Sequence, residues 1–281
     1  MGGAAIKEMA IDDGRTHSAG LILLFAKEDR PSASDIRDAI SRIPDTTISY
    51  DPGEAHGGKG PTWLDATAGP ETDGLPPVDD NSWLEVLING LTFDLFGLAP
   101  GPAIAAPETE FRVDCAGDVD TDDFGAIGIA PGPHLVGGMR SLVVARVLVT
   151  LGCKIAEQLG TTKAFIWLPS RCLTGAGFFC STVAAWDGGG PFPALGLTAF
   201  SATPDGALVS NGLSFFTDQE LRLPPEMVED PAAATRLAMR IVHQLVMHGP
   251  LKSSELITGP DGNALQLSPS DDGRLVEVRT A

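Results

Sequence analysis

Three side chains in the second half of the sequence are of the kinds that make and break bonds: the Cys172 thiol, the Glu220 carboxylate and the His243 imidazole. A thiol becomes a nucleophile when a base takes its proton and nearby N–H groups hold the thiolate. Cys172 follows the apolar run 164–168. Thr174-Gly-Ala-Gly177 behind it reads as the opening of a helix capped by Thr174, whose free amides would lower the thiol's pKa. The same spacing also suits a buried, inert thiol beside a capped helix. A base would come from His243 or His248. These two are five residues apart, off the i, i+4 spacing of a shared metal, and His248 before Gly249-Pro250 suits a helix C-terminus instead. Glu220 sits between a Phe-rich segment and Leu221-Arg-Leu223-Pro-Pro225, where it would orient a ligand or pair with Arg222, Arg171 or backbone donors.

The alternating carboxylates Asp118, Asp120 and Asp122 resemble ligands for a hard cation such as calcium. The pattern departs from a calcium loop, since Asp123 stands where the turn needs glycine and Ile129 where a bidentate carboxylate belongs. No firm metal site follows. GxSxG, P-loop, GxGxxG and kinase signatures are missing, and Gly188-Gly-Gly190 follows a helix rather than opening one, so no cofactor is implied. Cys115, Cys153, Cys172 and Cys180 form no CxxC pair, which fits reduced thiols in the cytoplasm.

The elements that must position these groups can be read from the apolar pattern. Leu21 to Ala26 is a strand buried on both faces, residues 33–43 a helix stopped by Pro44, and residues 46–50 a second strand. A Gly- and Pro-rich excursion covers 51–81. WLEVLI and LTFDLF flank Asn89-Gly90, the signature of a two-residue hairpin. Residues 97–138 read as a second loose stretch, apart from a strand at 110–113. A long apolar helix spans 139–159, ended by Gly160, and the strand 164–168 follows. The continuation reads as helix 175–186, strands 193–200 and 206–216, helix 231–248 and a hairpin of 264–267 with 275–279.

This order predicts an α+β protein, with a ferredoxin-like split βαβ order in its N-terminal part and a related continuation that a structural duplication would explain. The expected division is a flexible segment 1–19, a first α+β unit 20–168 and a second, 169–281, packed on it. The 281 residues carry 19 basic and 37 acidic side chains, a formal charge of −18. That sign opposes binding to nucleic acid or to an anionic membrane surface. No apolar run approaches the roughly twenty residues of a membrane span.

The segments TKAFIWLPSRCLTGAGFF (162–179), GLSFFTDQELRLPP (212–225) and WLEVLINGLTFDLFGLAPGPAI (83–104) resemble the bacterial family designated domain of unknown function 4261. Its "G-L…F…E-L" pattern falls on Gly212, Leu213, Phe216, Glu220 and Leu221. The resemblance implies a bacterial α+β protein with no established reaction, cofactor or catalytic residue, and an association with immunity or accessory proteins near secretion and toxin systems. The excursion 51–81 and the acidic loop 118–123 depart from the family's pattern.

Scattered histidines, cysteines and carboxylates predict a non-enzymatic cytoplasmic protein that presents an acidic surface to a protein partner or to a second copy of itself. The alternatives are a small-molecule hydrolase or transferase using Cys172 or Glu220 with His243, and an immunity-type neutraliser of a basic toxin.

Overall fold

The computed structural model describes residues 19–52, 83–115 and 121–281. Residues 1–18, 53–82 and 116–120 lie outside them, and with them most of the excursion expected over 51–81. The first strand is β1, Leu21–Ala26, and its unbroken apolar run has a direct cause. Leu21, Leu23 and Phe25 face one buried cluster while Ile22 and Leu24 face another, so the strand needs cover on both sides.

Around it lie β2 (Thr46–Tyr50), β3 (Trp83–Ile88), β4 (Leu91–Phe96), β5 (Phe111–Val113), β6 (Phe124–Pro131), β7 (Ala164–Trp167) and β8 (Cys172–Gly175). They form one sheet in the order β2-β3-β4-β6-β1-β7-β8-β5. All neighbours are antiparallel except β5 and β8. At the β3–β4 turn, Asn89 and Gly90 both take positive φ, 53° and 78°, as the hairpin signature requires. β6 falls within the stretch read as loose. Its sequence FGAIGIAP carries two glycines and a proline, which mask the strand signal, yet five of its residues are buried. Because β6 takes the place beside β1, the sheet has more strands than the simple split βαβ order supplies.

Helix α1, Ala33–Ser41, opens with a capping box: the Ser32 hydroxyl accepts from the Asp35 N–H, and the Asp35 carboxylate accepts from the Ser32 N–H. Helix α2 runs Leu142–Leu159, between a Ser141 cap and Gly160 at φ 71°. Its start is three residues later than expected, since residues 133–138 wind as a 3-10 turn. Helix α3, Ala176–Asp187, follows β8 directly. Thr174 is not its cap: it is buried within the strand, and the helix starts from Gly175 with no side-chain cap.

The remaining strands, β9 (Ala199–Ala202), β10 (Leu208–Asn211), β11 (Glu220–Leu223), β12 (Glu255–Thr258), β13 (Ala264–Pro269) and β14 (Leu275–Thr280), build a second sheet in the order β12-β13-β14-β11-β10-β9. Helix α4, Pro231–His248, is capped by Asp230. Two expected strands are shorter here. Residues 194–197 form an irregular helical turn before β9, and the strand expected over 206–216 stops at Asn211 and turns into the helical segment Ser214–Thr217. One apolar cluster runs from β1 through α2, α3 and α4 to β14, so the α+β elements share a continuous core.

Leu23 lies at its centre with no exposed surface. Leu23→Ala is expected to lower the unfolding free energy by about 2–5 kcal/mol, read from the midpoint of a urea transition with an unchanged slope.

Candidate functional site

Glu220 opens β11, and its carboxylate is enclosed by its own chain. The N–H groups of Gly212, Leu213 and Ser214 donate to it at 2.9, 3.2 and 3.0 Å, and the Ser210 hydroxyl donates as well. Ser210 Oγ in turn accepts the Leu221 N–H at 2.7 Å, tying β10 to β11. These donors explain why the strand ends at Asn211: three successive amides converge on one carboxylate, which an extended chain with alternating amides cannot do. Gly212 sits at φ 89°, and a Cβ there would stand 2.9 Å from the Ser170 Cα and 3.1 Å from its backbone nitrogen. Burial outweighs the donors and raises the Glu220 pKa above the ordinary carboxylate value. The expected ion pair is corrected, because Arg222 pairs with Asp205 at 2.6 Å and Arg171 with Glu110 at 3.3 Å.

Cys172 is fully buried in β8, opposite Trp167 on β7. Its sulfur lies 3.6 Å from Thr174 Oγ1, and desolvation pushes the thiol up to about 11, which favours the reading of a buried, inert thiol over that of an activated one. His243 is on α4, where Nδ1 accepts the Phe192 N–H at 3.1 Å and a neutral ring therefore carries its proton on Nε2. Among the described residues no hydrogen bond or ion pair joins any two of Cys172, Glu220 and His243. His248 behaves as its position predicts, with Nδ1 donating to the Gln244 carbonyl at 2.9 Å at the end of α4. Asp118 and Asp120 lie outside the described residues. Asp122 falls in the 3-10 turn Thr121–Asp123, and its side chain is likewise outside. No group of three or more His, Cys, Asp or Glu among the described residues is placed to hold a metal ion.

The structure brings together two sets of residues that reasoning from the sequence passes over. Between α2 and α3 lies a cleft of ≈ 440 Å³, lined by Cys153, Lys154 and Glu157 from one helix and Cys180, Val183 and Asp187 from the other. The hydroxyls of Thr150 and Thr162 are buried at its wall without a hydrogen-bond partner. Cys153 and Cys180 both line it, one from each helix, and burial together with the neighbouring Cys180 pushes the Cys153 thiol up. Their separation in sequence hides the pair, because only the β7–β8 connection brings the helices side by side.

The second set is a carboxylate pair. Asp94 on β4 faces Glu85 on β3 in register, is only 2% exposed, and keeps its Oδ1 without a hydrogen-bond partner. Desolvation, helped by Glu85, raises its pKa to about 7. Here the sequence did carry a signal: an aspartate between Phe93 and Leu95 in an otherwise apolar strand.

Comparison of the chain with protein-family models, with curated proteins and with solved structures finds no match.

Glu220→Ala would leave three amides and the Ser210 hydroxyl without their acceptor, and is expected to cost about 3 kcal/mol or more in urea unfolding. Asp94 generates a pH dependence. Its folded-state pKa lies above that of an unfolded aspartate, so the stability linked to it is whole below about pH 4 and is lost as pH rises through about 7. Asp94→Asn is expected to flatten the stability profile over this window. At pH 8 the variant should unfold about 2–4 kcal/mol less readily than the parent, as read by denaturant titration.

Proposed function

We propose that this chain works by binding rather than by bond-making, and that its partner is a protein surface rich in lysine and arginine. The observation that supports binding over catalysis is the dispersal of the three side chains best suited to chemistry. Cys172 is buried and protonated, His243 is engaged by a backbone amide, and Glu220 is spent on an internal turn.

The choice of partner follows from charge. The formal charge is −18, and in two open depressions the acids outnumber the bases: Asp218, Asp271 and Asp272 against Lys252, and Glu28, Asp29, Asp35 and Asp38 against Arg30 and Arg42. Such a surface steers cationic partners at long range and disfavours phosphate-bearing ones. Neutralisation of a basic toxin would be one use of it. The family resemblance supplies no reaction to set against this reading. No described helix is long and apolar enough to cross a membrane. We place the protein in the bacterial cytoplasm, where four unpaired thiols would persist.

Immobilised full-length chain tests the proposal. A basic protein should be retained at low ionic strength and released as the Debye length falls from about 10 Å at 0.1 M salt to about 3 Å at 1 M. Retention indifferent to salt, or of a second copy of the chain alone, would overturn the choice of partner. Iodoacetamide should leave Cys172 unmodified at neutral pH until the chain is denatured. Rapid labelling blocked by a small metabolite would restore the enzymatic alternative.

A further inference from the structure

The four cysteines occupy different environments, and two of them have the arrangement of a reactive pair. Cys115 packs on one face of the first sheet, its thiol directed to the carbonyls of Val113 and Leu173 at 3.4 and 3.6 Å. Cys172, opposite Trp167, is fully buried, with its sulfur 3.6 Å from Thr174 Oγ1 and 3.9 Å from the Leu173 carbonyl. Cys153 and Cys180 instead share the α2–α3 cleft, both half-buried, one on each of the two facing helices. A cleft of ≈ 440 Å³ admits a small reagent to both atoms.

We propose that Cys153 and Cys180 are a redox-active dithiol, converted by small organic disulfides into an intramolecular disulfide that bridges α2 and α3. The site lies away from the acidic depressions and does not depend on the binding function proposed above. Burial and the Cys180 sulfur hold Cys153 in its protonated form, which leaves Cys180 to attack first.

The chemistry is ordinary thiol–disulfide exchange. The Cys180 thiolate attacks one sulfur of the reagent RSSR, forming a Cys180–S–S–R mixed disulfide and releasing RS⁻. Cys153 then gives up its proton to the departing thiolate, attacks the Cys180 sulfur and expels the second R group as a thiol. The protein loses two protons and two electrons, the proton from Cys180 ending on the second leaving thiolate, and the reagent is reduced to two molecules of RSH. The neighbouring sulfur makes the second step intramolecular, which is why a stable mixed disulfide should not accumulate.

The test treats native full-length protein with excess 2-hydroxyethyl disulfide at pH 8, blocks residual thiols with N-ethylmaleimide, and maps the peptides by mass spectrometry. The expected product links the Cys153 and Cys180 peptides with the loss of two hydrogens, is reversed by dithiothreitol, and leaves Cys115 and Cys172 as thiols. A lasting mixed disulfide on either cleft cysteine, a link through Cys115 or Cys172, or no reaction before denaturation would overturn the proposal. Cys153→Ser should trap the mixed disulfide on Cys180, whereas in Cys180→Ser the remaining Cys153 should stay unmodified. An adduct on Cys153 in that second variant would refute the order of attack. Should either variant fail to fold, the wild-type map decides by itself.

Discussion

Strand β1 has no face to spare for water, and much of the architecture consists of the covers that this demands. On one side α1 and α2 supply apolar stripes through Ile36, Ile40, Leu148 and Leu151. On the other side an irregular segment does the work of a helix, with Ile104 and Ala106 packed against Ile22, Leu24 and Ile166. A loop can cover a sheet only if its own polar backbone is satisfied. Arg30 meets part of that need by donating to the carbonyls of Gly97 and Gly101. The Ala99 N–H bonds to the Pro31 carbonyl at 2.9 Å and the Ile104 N–H to the Ala126 carbonyl at 3.2 Å. The cover is thereby fastened both to the end of β1 and to β6.

The same economy governs the polar residues. Glu220 does for the turn after β10 what a capping residue does for a helix, but from the neighbouring strand and with its whole carboxylate. Gln219 beside it is buried, its amide donating to the carbonyls of Leu251 and Gly273 at 3.0 Å and accepting the Leu251 N–H at 2.7 Å. Gln219 thus holds the exit of α4 and the β13–β14 turn at the start of β11, while Glu220 holds the turn after β10. Buried groups satisfied this completely are specified by folding, and their enclosure leaves little freedom for a substrate.

How far the sequence revealed this depended on whether a feature was local. The β3–β4 hairpin, the Gly160 end of α2 and the extents of β1 and β2 follow from periodicity and turn chemistry within a few residues, and all were legible. β6 was not, because Gly125, Gly128 and Pro131 erase the β-branched signature while the strand is held by neighbours on both sides. The early end of β10 was hidden for a related reason. Its cause is Glu220, nine residues past Asn211, and no window on the Phe-rich segment contains that information. At the level of chemistry, residue type alone brought forward Cys172 and passed over Cys153, although environment makes the first inert and pairs the second with Cys180.

The placement of that pair on α2 and α3 also settles which helix can respond to a covalent link. At Gly152, next to Cys153, α2 lies so close to β1 that a Cβ would stand 2.4 Å from Leu21 Cδ2, and Leu21 has no exposed surface. α2 is therefore pinned to the strand on which the core is built, and shifting it would open a gap at the centre of the sheet. α3 is held differently: its first turn has no side-chain cap, and it is fixed by the Ala176 N–H to Lys163 carbonyl bond at 3.1 Å and by Phe179 stacked on Phe165. Its last turn is tethered by Arg146, whose Nη2 donates to the carbonyls of Trp186 and Asp187 at 2.8 Å, a long side chain able to follow a small displacement. Strain from a Cys153–Cys180 bond would accordingly fall on the exposed face and the tethered last turn of α3, whose Phe179 and Val183 stay seated in the core, while β1 and its covers stay in place.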